Sequence, residues 1–157
     1  MDPNDIEFQY VQELGLGAFA ALLPSNDPIM IVEIAPKSAG QHPRVMPLSG
    51  AGAFQLRDRD PYFDVPAMSF SRIRFEVNPD AVVQLGRASG PDCIGGLFVS
   101  KEQRGIYAVA GAQGIPKAIN LQGEHVSVPA DGLLFPEWSI VSGEGENRVV
   151  HWTKEKT

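Results

Sequence analysis

A chain of 157 residues, 43% apolar and 20% charged, has the length of one domain and less charge than most soluble domains. Thirteen Lys and Arg against nineteen Asp and Glu leave a net charge of −6. The basic residues are scattered, so the electrostatic footprint of a nucleic-acid binder is missing. Sixteen Gly and thirteen Pro exclude a helical bundle and suit a fold of many turns.

The densest basic group, Arg57, Arg59, Arg72 and Arg74, is interleaved with Asp58, Asp60 and Glu76, which cancels its field. Cys93 is the only cysteine, so an internal disulfide and a thiol-based zinc cluster are both excluded, and a reducing compartment fits. The first residues, MDPNDIEFQ, hold early acids and lack the charged-then-apolar pattern of a secretory leader. The richest apolar run, 18–23, is far short of the ~20 residues of a membrane span. The expected location is cytoplasmic, or a virion for a viral source, with no membrane and no nucleic-acid partner.

Residues 2–14 read two ways. Asp2 can cap a helix with Pro3 in its first turn, Ile6, Tyr10 and Leu14 on one face and Gly15 ending it. Alternatively, Ile6, Phe8 and Tyr10 alternate with Glu7 and Gln9 as in a strand. The strand is favoured, because the helix would turn Phe8 to its polar side. LGLGAFAALLP (14–24) is small and apolar, and SNDP (25–28) is a turn. PIMIVEI (28–34) is a proline-bounded apolar run, which predicts a strand buried on both faces. Residues 35–52, rich in Pro and Gly, predict one long loop or arm able to reach a neighbour.

A short strand at 53–56 leads into the charged turn RDRDPYFD (57–64). The cleanest alternation spans 70–77, with Ile73, Phe75 and Val77 on one side and Arg72, Arg74 and Glu76 on the other. Asn78-Pro79-Asp80 then turns the chain, and 81–85 is expected back as its partner strand. ASGPDCIGG (88–96) is a loop and 97–100 a strand.

From 105 to 142 apolar pieces at 106–110, 118–121, 126–128, 133–135 and 139–141 alternate with Gly- and Pro-marked turns, predicting the core meander. GEGEN (143–147) is a turn, 148–152 a last strand, and 153–157 a charged tail. The expected fold is all-β, a single domain over 1–157 of roughly ten to twelve short antiparallel strands, built as a β-sandwich, jelly roll or β-prism.

Candidate chemistry is thin. Cys93 sits in a glycine-rich turn, yet His42, His125 and His151 are the only imidazoles and none forms a recognisable partner motif. Asp58, Asp60 and Asp64 begin a calcium-like spacing without its bending glycine or closing acid, and Arg57 and Arg59 supply counter-charges. Each histidine is isolated, which argues against a His-x-His metal site. There is no nucleophile elbow, P-loop or dinucleotide fingerprint. No cofactor and no metal are expected.

The aromatics Tyr62, Phe63, Phe135, Trp138 and Trp152 are the expected interface residues, since Trp and Tyr are enriched where subunits meet. The segment GIPKAINLQGEHVSVPADGLLF (114–135) resembles the late strands of a β-fold family related to the tryptophan-responsive RNA-binding attenuator, which includes bacterial proteins and a mitochondrial biogenesis factor. The matching positions are Gly114, Ile119, Leu121, Gly123, Val126, Val128, Leu133 and Leu134; the N-terminal half has no counterpart, and the proline-rich loop departs from the pattern. The resemblance implies a β-prism scaffold without catalytic residues. The expected function is therefore a non-enzymatic, self-associating structural protein, such as a subunit of a virion or another multi-subunit particle. The rival is a small-molecule site in a β-barrel, or an enzyme using Cys93 or an acidic residue.

Overall fold

Period-two alternation broken by turn residues cuts the chain into short strands, the longest of seven residues. The computed structural model describes residues 3–32, 43–85, 90–110 and 114–155. Within them the chain is all-β, with fifteen strands, and helix occurs only as short 3-10 turns.

The strands are β1 (Ile6–Tyr10), β2 (Phe19–Leu22), β3 (Asp27–Val32), β4 (Arg44–Pro47), β5 (Arg57–Asp58), β6 (Pro66–Phe70), β7 (Arg74–Val77) and β8 (Val83–Gln84). They continue with β9 (Leu97–Val99), β10 (Arg104–Ala110), β11 (Ile115–Asn120), β12 (His125–Val126), β13 (Leu133–Phe135), β14 (Trp138–Ser142) and β15 (Val149–Lys154). They form three antiparallel sheets, ordered β1-β6-β2-β3-β4-β5, β12-β11-β10-β9-β13-β8 and β15-β14-β7. A parallel bridge between Gln55 and Val109 ties the first sheet's connections to β10.

All three sheets feed one central core. Phe19, Met30, Val32 and Met46 come from the first, Leu97, Ile106, Ile119 and Phe135 from the second, Trp138 and Ile140 from the third. Over 29–32 β3 is buried on both faces, as the apolar run predicts: Met30 and Val32 enter this core, while Ile29 and Ile31 enter a second cluster with Val11, Leu14, Val45 and Ala67. The run's last two residues, 33–34, lie outside the described residues. The back of the second sheet covers a third cluster around Phe98, Tyr107 and Leu134.

The turn after β11 also meets the turn before β2 backbone to backbone. Gly123, in the turn after β11, has φ +86°, and a Cβ there would lie 2.5 Å from the Gly17 nitrogen and 2.7 Å from the Ile31 oxygen. Gly17 has φ +76° and meets Gln122 as closely. Only glycine serves on both counts, conformation and space.

Several expectations change. Residues 43–52 are not loop throughout: Val45 and Met46 are fully buried, and β4 pairs with β3 in the register Met30↔Met46. The rest of the expected arm, 35–42, lies outside the described residues. The alternating stretch 70–77 is two strands, because Arg72 takes φ +54° and the chain leaves the first sheet for the third there. β7 pairs with β14, and β8 with β13, so 81–85 is not the return partner of 74–77. Residues 53–56 form turns around the Gln55 bridge, while β5 falls inside the charged stretch. The 105–142 stretch is a meander only through β12; β13 joins β9 on the far side, and β14 moves to the third sheet. The tail begins later than 153, since Thr153 and Lys154 complete β15.

Candidate functional site

Among the described residues the candidates for chemistry form no metal-holding group of three or more His, Cys, Asp or Glu. Cys93 ends the 3-10 turn Gly90–Cys93 and packs in the third cluster, 8% exposed. Burial pushes its thiol pKa up, and the charge of Asp92 adds to this, so the thiolate a nucleophile needs is disfavoured. Burial pushes His125 and His151 down, His125 further by Lys117. His151 shares a hydrogen bond of 2.8 Å with the Ser142 hydroxyl and packs its ring 4.3 Å from that of Phe70. Neither imidazole is hydrogen-bonded to Cys93 among the described residues, and His42 lies outside them.

Asp58, Asp60 and Asp64 are exposed, and Asp58 faces Arg44 at 3.6 Å. Among the described residues no three His, Cys, Asp or Glu side chains converge on a point that could hold a metal. Arg59, read from sequence as their counter-charge, is buried instead: its guanidinium donates to the Val11 oxygen and, at 2.7 Å, to the Leu14 oxygen. It clamps the 3-10 turn Val11–Glu13 that follows β1. Two shallow polar depressions, of about 460 and 310 Å³, flank the turn at 100–103, and a third of about 260 Å³ lies beside Glu76, Arg148 and Lys154. Their walls hold no paired nucleophile and base.

Of the five aromatics nominated for an interface, Trp138 is 1% and Phe135 8% exposed, both in the central core. The Trp138 indole donates to the Gly95 oxygen at 2.7 Å and packs edge-on against Trp152, ring centres 4.9 Å apart. Trp152 is half-buried on the same core, and Tyr62 half-buried on the second cluster. Phe63 alone, at 38%, shows a large open surface.

The exposed aromatic surface lies elsewhere, on β1. Phe8 is 64% and Tyr10 43% exposed, edge to face with ring centres 6.0 Å apart. β1 pairs only with β6, in the register Phe8↔Met68, so its other edge carries no strand among the described residues. The ladder's parity shows which backbone groups are open. Ser71 donates to the Asp5 oxygen at 2.9 Å and Val11 to the Val65 oxygen at 3.0 Å. Bonded residues alternate in an antiparallel pair, so Asp5, Glu7, Gln9 and Val11 turn towards β6. Ile6, Phe8 and Tyr10 turn their N–H and C=O groups outward. The outward Tyr10 N–H is taken at 2.7 Å by the Glu13 carboxylate, which agrees with this parity.

The five other sheet edges among the described residues are blunted. β5, β8 and β12 are two residues each. β7 is covered in charge, with Arg74 and Arg148 on Glu76 at 3.4 and 2.6 Å. β15 has a register shift against β14 at Ile140/Val141 and ends in Lys154. Shortness, charge and bulges are the devices by which sheets resist edge pairing. β1 has five residues, no cation, no proline and no bulge. The signal for it was present in the Ile6-Phe8-Tyr10 alternation. Sequence did not reveal that this strand would be an edge.

A scan of protein-family models, a search of curated proteins and a search of solved structures each found no match to this chain.

Proposed function

We propose that the chain is a non-enzymatic β scaffold that associates with itself, as a structural subunit of a multi-subunit particle such as a virion. The observation that carries this reading is the β1 edge, where outward backbone groups with no strand beside them among the described residues coincide with two exposed aromatic rings. Fully burying a Phe side chain is worth about 1.5–3 kcal/mol, and an edge strand presents its hydrogen-bonding groups ready aligned. Burial and the Asp92 charge raise the Cys93 pKa, and neither His125 nor His151 hydrogen-bonds to it among the described residues, which favours the scaffold reading over a thiol enzyme.

Solution mass by light scattering across a wide range of protein concentration tests it. The expected result is a mass that rises above that of a monomer with concentration. Phe8→Lys, which puts a charge at the centre of the edge, returns the protein to a monomer with its fold intact. A wild-type protein that remains monomeric at every concentration overturns the proposal.

A further inference from the structure

We infer that the partner of β1 is the β1 strand of a second copy, paired antiparallel about a two-fold axis at Phe8, so that two six-stranded sheets join into one continuous sheet. This rests on the self-association proposed above and specifies its geometry.

Three observations select this arrangement. The first is parity. A two-fold axis at Phe8 sets Phe8 opposite Phe8 of the second copy and Ile6 opposite Tyr10, all residues whose backbone groups point outward from β6. Phe8 N–H then donates to the second copy's Phe8 oxygen and Ile6 N–H to its Tyr10 oxygen, each reciprocated by symmetry. The same bonded pair gives the Tyr10 N–H to the second copy's Ile6 oxygen, so on pairing it leaves the Glu13 carboxylate that holds it in the single chain.

The second is charge. This register puts Glu7 opposite Gln9 and Asp5 opposite Val11, an acid facing an amide and an acid facing an apolar residue. Moving the axis to Glu7 sets two carboxylates directly against each other, and moving it to Gln9 sets Asp5 against Glu13. Like charges directly opposite are unfavourable, so the Phe8 register is the one free of such a pair.

The third is closure. The far edge of the same sheet, β5, is two charged residues, with Asp58 already facing Arg44 at 3.6 Å. An isologous contact consumes the same patch on both copies and stops at two, whereas a head-to-tail contact would need β5 as acceptor. The Phe8 and Tyr10 rings of both copies then share one face of the joined sheet, on the side that Phe70 presents to the central core. The strand edge and the aromatic strip are covered together.

Charge substitution at Gln9 and cross-linking at Phe8 read the register directly. Gln9 lies on the opposite face from Phe8, half-buried, with its amide donating to Glu7 at 2.9 Å. Gln9→Lys, facing Glu7 of the second copy twice per dimer, should tighten association about fivefold and make it salt-sensitive, while Gln9→Glu should loosen it by a similar factor. Phe8→Cys should form an intermolecular disulfide under mild oxidation, because residues in a bonded antiparallel pair lie about 5.5 Å apart at Cα. Wild-type protein, whose Cys93 is buried, is the control. A dimer that ignores both Gln9 changes and does not cross-link through position 8 overturns this register while leaving self-association standing. A wild-type protein monomeric at all concentrations overturns both.

Discussion

Two aromatic groups in this protein have opposite surroundings. Phe54, Phe75, Trp138 and Trp152 pack edge-on and tilted in the central core, with ring-centre distances of 4.9–6.0 Å. Phe8 and Tyr10 meet at 6.0 Å in the same edge-on manner, yet on a strand with no further strand beyond it among the described residues. The ring geometry is similar, so the contact itself does not tell the two apart. What differs is what each ring still has to gain. Trp138 has already left water, whereas Phe8 retains apolar surface whose burial would drive the association proposed above. On the reading proposed above, the surface pair is kept for association, whereas the core pair is already used in folding.

The comparison breaks most sharply at Trp138. Truncating a fully buried Trp removes its transfer energy and leaves a cavity, and Trp138→Ala additionally strands the Gly95 oxygen. The expected loss is about 3–5 kcal/mol in chemical denaturation. Association should fall only in step with the folded fraction. A variant that keeps its folding midpoint but loses its dimer would mean that Trp138 faces a partner.

Arg59 comes next, and it tests the link between the two regions. Its guanidinium holds the Val11 and Leu14 oxygens, which fixes the turn after β1 and places Glu13 on the Tyr10 N–H. Hydrogen bonds to charged donors contribute about 1.5–3 kcal/mol. Arg59→Met, keeping the stem and losing the donors, should cost roughly 2 kcal/mol by that measure and raise amide hydrogen exchange at residues 10–14. If exchange there is unchanged, the clamp does not hold the strand end.

Phe8→Ser should do the reverse of Trp138→Ala. At a 64% exposed position the monomer's stability should move by no more than about 0.5 kcal/mol. Dimer affinity should drop at least about tenfold, the factor expected when buried apolar area of this size is lost. Loss of stability in parallel would place Phe8 among the core residues and erase the distinction.

How much of this was legible beforehand follows from what each region depends on. β3 reads from PIMIVEI because a strand buried on both faces leaves a continuous apolar run whatever lies around it. β13 falls on 133–135 as expected, since Gly132 and Pro136 bracket it. The break at Arg72 left no mark, because nothing in Ser71-Arg72-Ile73 announces a left-handed residue. β4 was hidden by its own prolines, Pro43 and Pro47, which mark loops in sequence but here sit at the strand's margins. The open edge was not legible in the sequence for a topological reason. A strand is an edge because of what does not pair with it, and Ile6-Glu7-Phe8-Gln9-Tyr10 carries no record of its neighbours. The tryptophans attracted attention as large rings, yet their burial depends on three sheets that the chain assembles only over its whole length.

The smallest expected effect is also the one that separates the two regions without a change at either. His151 packs on Phe70 and Phe19 at the rim of the central core, and burial holds its pKa below the usual histidine value. A group whose folded pKa is depressed binds more protons unfolded than folded, so stability rises with pH through that range. It is full above the ordinary histidine value of about 6.5 and is lost as pH falls through the folded value. His125, depressed for the same reason, acts in the same direction. Chemical denaturation should therefore show stability declining from pH 7 towards 5, with His151→Gln flattening part of that limb. β1 contains no histidine. Dimer affinity, measured over the same interval on protein that remains folded, should stay level. An affinity that followed the histidine limb would show that the edge and the core are coupled through β6, whose Phe70 faces both Ile6 in register and the His151 ring.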